Sequence, residues 1–312
     1  MLIIVLFPNQ SNVFSKANLP STDKIKFQGK IIADKALSAI GFVGKYILLG
    51  ADEGNQIQVL EPNKRRSKYR VAKNKNIKLL VDKSKSEIDI EGIAVSNNIV
   101  YVVGSHSLQK ETTPDENARK NIFRFEIDPD TCKLKSPIVK ASLQAILSQD
   151  KILNQFFNLP HSKNGVDIEG IAVKNEYLYF GFRTPILYNK YTPVVVVKFE
   201  DINRTDSYKL HCINLDGNGI RDIVAVDRVF LVLTDETGNN GNNYQVYFWD
   251  GSYGLSKSIN IEKAKLLSEI PAKKNTRAEG LTILQETNES YRILVVYDGI
   301  AEGNPTIFEI YK

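Results

Sequence analysis

Asp167-Ile168-Glu169-Gly170-Ile171-Ala172-Val173 has a near-copy at Asp89-Ile90-Glu91-Gly92-Ile93-Ala94-Val95. Three weaker copies extend the series: Leu37–Val43 (LSAIGFV), Gly219–Val226 (GIRDIVAV) and Arg277–Ile283 (RAEGLTI). Glu91 lies 53 residues after Ser38, Glu169 78 after Glu91, Arg221 52 after Glu169, and Glu279 58 after Arg221. Self-similarity at such intervals marks a repeat architecture. One repeat alone cannot bury its apolar face, so the copies must pack on one another.

Each copy leads through a short polar turn, such as Ser96-Asn97-Asn98 or Lys174-Asn175-Glu176, into a second apolar run. The runs are YILLG (46–50), IVYVVG (99–104), YLYFGF (177–182), VFLVLT (229–234) and ILVVY (293–297). They are β-branched and aromatic and are bounded by Gly, Asn or Asp, as strands of hairpins are. Two more strands complete a unit, for example Ile122–Ile127 with Ser136–Val139 and Val194–Phe199 with Tyr208–Ile213.

About five four-stranded units predict an all-β protein, a single β-propeller of five blades. Six blades is the alternative if the N-terminal third hides another copy. The intervals exceed the roughly 40–50 residues of common blades. The longest contains 140–158, where Leu143, Ile146, Leu147, Leu153 and Phe157 follow helical spacing. An inserted amphipathic helix is expected there. After its hairpin the last unit has one further strand, Thr306–Tyr311. Its missing outer strand is expected from the N-terminus, Lys24–Ile32, closing the ring between first and last blades. The expected organisation is therefore an extension, residues 1–23, and a propeller domain, residues 24–312.

With 42% hydrophobic and 25% charged residues in 312, the chain has the composition of a soluble globular protein. Its 41 Lys+Arg exceed 36 Asp+Glu, for a formal charge of +5. The excess is local: residues 63–86 hold ten Lys/Arg and one acid, Asp82. A solvated outer strand is the expected reading. Nucleic acid is not expected as a partner, because no aromatics interleave at stacking spacing. Cys132 and Cys212 form no CxxC, and there are three His. A thiolate or imidazole cage is therefore disfavoured, and any metal should be a hard, oxygen-liganded ion.

The apolar run Met1–Phe7 stops at Pro8 and lacks a basic flank. It is too short to span a bilayer, and no membrane span is expected elsewhere. The expectation is a docking strand of a cytoplasmic protein. A truncated leader would instead imply a periplasmic or secreted one.

Strand direction assigns the chemistry to one face. In antiparallel hairpins the start of each first strand meets the end of each second strand. The opening groups are Asp89 and Glu91, Asp167 and Glu169, Arg221 and Asp222, and Arg277 and Glu279. The closing groups are Asp52 and Glu53, His106, Arg183, Asp235 and Glu236, and Asp298. Around a ring these converge on the channel mouth, where the long loops also lie. Converging carboxylates repel and must be neutralised, by arginines or by a hard cation.

Asp167–Val173 followed by Gly181-Phe182-Arg183-Thr184-Pro185 resembles an uncharacterised bacterial domain-of-unknown-function family of propeller type, marked by D-[IL]-E-G-[IL]-A and then G-x-R-x-P. The first motif is also similar to segments of phytase-like esterases and SdiA-regulated periplasmic propellers. Lactonases and regucalcin-like proteins place such a Glu on a channel-bound Ca²⁺. The resemblance implies a propeller over most of the chain, with Glu91, Glu169 and Glu279 as the first ligand candidates. Ser38 and Arg221 depart from the acidic pattern, so any such site is asymmetric.

Two functions follow as expectations. One is a Ca²⁺- or Mg²⁺-assisted hydrolase of a small anionic ester, phosphoester or lactone. Glu91, Glu169, Glu279, Asp89 and Asp167 would hold the metal. Arg183, Arg221 and Arg277 would bind the substrate anion, and His106 or Asp235 would move protons. The other is a non-catalytic ligand- or protein-binding propeller in which the acid/arginine ring is structural.

Overall fold

The computed structural model describes residues 24–80, 86–108, 116–227, 229–236, 243–251 and 260–312. The first sheet contains β1 (Lys26–Gln28), β2 (Leu37–Val43), β3 (Tyr46–Ala51), β4 (Gln56–Pro62), β5 (Lys68–Val71) and β6 (Ile77–Lys78). Its order is β1-β5-β4-β3-β2, with β6 on β4. The second holds β7 (Ile90–Ser96), β8 (Ile99–Gly104), β9 (Ile122–Glu126) and β10 (Val139–Ala141). The third runs from β11 (Asp167–Lys174) through β12 (Tyr177–Thr184) and β13 (Tyr191–Lys198) to β14 (Lys209–Asn214). The fourth begins with β15 (Ile220–Val226), β16 (Val229–Glu236) and β17 (Asn243–Trp249). The chain then crosses to the third sheet, where β18 (Asn260–Lys263) pairs in parallel with β14. It returns as β19 (Lys265–Pro271) beside β17. The fifth holds β20 (Arg277–Glu286), β21 (Ser290–Asp298) and β22 (Thr306–Tyr311).

The innermost strands β2, β7, β11, β15 and β20 lie side by side, and β20 against β2 closes the ring. The fold is thus a five-bladed β-propeller, as the repeats predict. The β7–β8 and β11–β12 hairpins turn on two residues. Asn97-Asn98 and Asn175-Glu176 both carry positive φ, the geometry that matches the twist of the flanking strands.

The core is divided into five apolar clusters, one between each pair of neighbouring blades. Along β8, Val100 and Val102 pack toward the first blade, while Tyr101 and Val103 pack toward the third. Both faces of each sheet are buried, so the strands are apolar throughout and do not alternate.

Two expectations are corrected. The N-terminal strand does not complete the last blade: β1 pairs in parallel with β5 on the outer edge of the first. Its Ile25 and Phe27 instead fill the gap beside Leu284, Leu294 and Val296 of the fifth blade. Closure there is by packing, because the apolar face of β1 matches that gap while its backbone pairs with β5. The fifth blade has three strands among the described residues. The inserted helix is two short ones. Besides α1 (Glu116–Arg119), the helices are α2 (Gln144–Gln149) and α3 (Asn154–Phe157). Between them the Asp150 carboxylate accepts from the backbone N–H groups of Ile152 and Leu153, both at 2.8 Å, which starts a new turn and breaks the first helix. Leu143, Ile146, Leu147 and Leu153 are buried as the spacing requires. No helix among the described residues is long and apolar enough to cross a membrane. The expected N-terminal extension, 1–23, lies outside the described residues.

Candidate functional site

The repeat position first read as Glu91, Glu169 and their equivalents has one structural meaning in all five blades. Ile90 faces Gly104 and Gly92 faces Val103, so Glu91 is skipped by the ladder. The same skip leaves out Ser38, Glu169, Arg221 and Glu279. Each is therefore the extra residue of a β-bulge, a device that bends a strand and re-aims one side chain. The following glycines admit the next blade. A Cβ on Gly92 would lie 3.0 Å from Ile171 N, and one on Gly170 2.9 Å from Ile223 N.

Arg221 of the fourth blade reaches its neighbours on both sides. Its Nη1 donates to Glu169 Oε2 at 2.7 Å and to both Glu279 oxygens at 2.9 Å. Its Nε donates to Asp235. Arg183 Nη1 donates to Glu169 Oε1 at 2.6 Å and to Asp167 at 3.4 Å. The two halves of the recognised motif, D-I-E-G and G-x-R, are thus the two halves of one ion cluster. Arg119, which the sequence reading did not single out, holds Asp89. Asp222 accepts from Ile223 N and, across to the fifth blade, from Leu281 N, both at 2.7 Å. Arg277 stands apart: its side chain is 63% exposed and lies 3.8 Å from Asp298.

The electrostatics differ around the ring. Three carboxylates hold Arg221 firmly cationic against the effect of its burial. Burial keeps Glu279 well above the usual carboxylate range, with Arg221 opposing. Glu91 has no basic partner among the described residues. Burial first, then Asp89, Asp52, Glu169 and Asp167, push it well above its ordinary value. Burial and the charge of Asp89 raise Asp52 to about 7, and its Oδ1 is buried without a hydrogen-bond partner among the described residues. Glu169 and Glu279 thus share the Arg221 guanidinium, whereas Glu91 and Asp52, on the second and first blades, have no ion-pair partner among the described residues and are pushed toward their neutral forms.

A test follows from Asp52. Folding raises its pKa from 3.8 to about 7, so the unfolded chain binds fewer protons between those values and stability falls as pH rises through that window. At about pH 8.5 the full cost applies, on the order of 4 kcal/mol. Asp52→Asn should raise the denaturation midpoint there and leave it nearly unchanged near pH 4. An equal effect at both values would remove Asp52 from this role.

The structure gives each expected site residue its own surroundings. His106 is 2% exposed. Its Nδ1 bonds to Gly104 O at 2.9 Å, and its Nε2 accepts from Leu143 N at 3.2 Å. Burial lowers its pKa to about 4. It fastens the helical insertion to the second blade and has no nitrogen left for a substrate. Asp235, the other expected proton carrier, is ion-paired to Arg221. Arg221, expected to bind substrate, is 7% exposed and saturated by carboxylates, and Arg183 is engaged with Asp167 and Glu169. Of the expected metal donors, all but Glu91 already face a guanidinium. Arg221 Nη1 stands between Glu169 and Glu279, where a cation would have to be, and Asp89 and Asp167 have their own arginines. Among the described residues no three Asp, Glu, His or Cys side chains are grouped to hold a metal.

Beside this cluster a cavity of about 980 Å³ opens between the fourth and fifth blades. Arg221, Asp235, Tyr244, Lys273, Lys274, Asn275, Thr276, Arg277 and Asp298 line it. Its wall, residues 272–276, is braced. Tyr244 OH donates to Thr276 O at 3.0 Å, Thr276 Oγ1 donates to Lys273 O at 2.9 Å, and Lys273 Nζ donates to Thr306 at 2.7 Å while lying over the Tyr297 ring. Lys273 and Lys274 were missed from sequence. The signal was available, because a connection from the outer strand of one blade to the inner strand of the next lies on this same face.

Over residues 36–132 and 126–305 the sequence matches the family described as Protein of unknown function (DUF3616). The chain belongs to this family. No curated protein matches it. Among solved structures the DUF3616 chain is similar to the Dos1 propeller (12% identity, 87% of this chain and 58% of that one, TM-score 0.39). It is also similar to a hypothetical selenium-binding protein from Sulfolobus tokodaii (8%, 91% and 84%, 0.43) and to an exo-β-1,3-galactanase from Phanerochaete chrysosporium (8%, 94% and 63%, 0.45). This DUF3616 chain therefore spans less than two thirds of the Dos1 and galactanase chains.

Proposed function

We propose that this chain is a binding propeller that takes a small anionic ligand into the cavity between its fourth and fifth blades, and that the acid/arginine ring beneath is structural. The observation that carries this reading is the contrast between the arginines. Arg221 and Arg183 are consumed by carboxylates, whereas Arg277 is exposed at the cavity, and Lys274 beside it has no partner among the described residues. Arg277 supplies a planar fork for a carboxylate or phosphate, and Lys274 a point charge. The braced 272–276 wall lowers the ordering cost of binding. The hydrolase reading loses support because His106 has no free nitrogen and Glu169 and Glu279 already share a guanidinium.

Thermal melting with inorganic phosphate, citrate and a sugar phosphate tests this. A ligand of the folded state at a hundredfold its Kd stabilises by about 2.7 kcal/mol. At least one anion should raise Tm saturably. Lys274→Gln with Arg277→Gln should abolish the rise and leave the unliganded Tm nearly unchanged, since both side chains are exposed. A flat response to every anion, or a rise that survives the double substitution, rejects the proposal. Calcium is the control. A saturable rise with Ca²⁺ that vanishes in Glu91→Gln would restore the cation reading.

A further inference from the structure

The cavity between the fourth and fifth blades holds acceptors as well as cations. Asp235 lies at the end of β16 and Asp298 ends β21, so two neighbouring hairpins bring a carboxylate to the same space. Each is anchored through one oxygen. Asp235 Oδ1 accepts from Arg221 Nε, and Asp298 Oδ1 accepts from Gly299 N at 2.6 Å. The second oxygen of each accepts no hydrogen bond among the described residues. Asp235 Oδ2 is 4.0 Å from Arg183 Nε, and Asp298 Oδ2 is 3.8 Å from Arg277 Nη1. Both side chains are partly exposed. A carboxylate oxygen only accepts, and a ligand that covers it without offering a donor leaves it desolvated and unpaired. A ligand that fills this cavity must therefore bring donors together with its anionic group.

The lining selects the kind of donor. Arg221, Lys273, Lys274 and Arg277 outnumber Asp235 and Asp298, so an ammonium group would meet charge of its own sign, whereas a hydroxyl carries none. Apolar surface is scarce. Ala272 is the only aliphatic residue among the described lining residues, and Tyr244 is buried with its OH on Thr276 O. A hydrocarbon chain would therefore gain little by entering. We infer that the ligand is a polyhydroxylated anion, a sugar phosphate or sugar acid in open-chain or ring form. Its phosphate or carboxylate lies on Arg277 and Lys274, and its hydroxyls donate to Asp235 Oδ2 and Asp298 Oδ2. This rests on the anion binding proposed above for the same two cations.

Isothermal titration of the full chain with matched pairs tests the inference. Sorbitol 6-phosphate and hexyl phosphate share a phosphate and a chain length, and gluconate and hexanoate share a carboxylate. In at least one pair the hydroxylated member should bind at least about tenfold more tightly. Asp298→Ala should cut that preference about fivefold or more, and the hydroxyl-free member should bind at least as tightly as before, because Arg277 loses a neighbouring carboxylate. The turn keeps a partner in this variant, since Gly299 N also donates to Lys35 O at 2.8 Å. The preference is a ratio within one preparation, so a smaller folded fraction cancels. If the hydroxyl-free members bind as tightly as their partners, the anion reading stands and this inference falls. If no member of either pair binds, both fall. A preference unchanged in Asp298→Ala, or 6-aminohexanoate binding more tightly than gluconate, would also overturn it.

Discussion

Replacing Arg221 by methionine is expected to cost about 3–5 kcal/mol of folding stability, the usual penalty for removing one partner of a buried ion cluster. The size follows from what is left behind. Glu169 and Glu279 are buried and lose a shared donor, and Asp235 loses its Nε contact. Methionine fills a similar volume, so the loss reports charge more than packing. Denaturant unfolding at constant m-value is the measurement. Two further results separate the electrostatic explanation from a cavity. The deficit should shrink as pH falls, because Arg221 is what pulls the pKa of Glu279 down, and without it Glu279 takes up a proton more readily. Adding Glu169→Gln and Glu279→Gln to the Arg221 variant should recover much of the loss. A cost below about 1 kcal/mol would mean that the ring is solvated and that Arg221 is free for a ligand after all.

Gly170→Ala is the second large effect, expected at about 3 kcal/mol or more, the upper range for overpacking. The added Cβ would stand 2.9 Å from Ile223 N and 3.0 Å from Asp222 Cα. Both are backbone atoms of the neighbouring innermost strand. They cannot rotate away, and Asp222 is further held by Leu281 N of the fifth blade. Relief therefore requires two blades to separate, which opens the apolar cluster containing Ala172, Ile220 and Ile223. An alanine variant that melts with the parent would show that the blades slide apart at little cost.

The repeats made the propeller legible because each blade solves the same problem in the same residues. A strand buried on both faces must be apolar throughout, a two-residue hairpin needs positive φ, and a close approach needs glycine. The convergence of Asp167, Glu169 and Arg183 was readable for the same reason, since hairpin direction alone brings their ends together. The errors share a different cause. Asp150 breaks the insertion by bonding to two N–H groups ahead of it, and a side-chain hydrogen bond leaves no mark in apolar spacing. The placement of β1 beside β5 was decided by which interblade gap would accept Ile25 and Phe27.

From sequence alone came the fold, the five equivalent ring positions and the face on which they gather. All of these depend on local periodicity and strand direction. Tertiary structure alone decided which charges meet. Glu91 and Glu169 occupy equivalent positions in near-identical heptapeptides, yet Glu169 is held by two arginines and Glu91 has no basic partner among the described residues. Arg183 of the same hairpin supplies one part of the difference, and Arg221, one blade away and 52 residues along the chain, supplies the other. A charge's partner is set by distance in space, and the repeat pattern records only position within a blade.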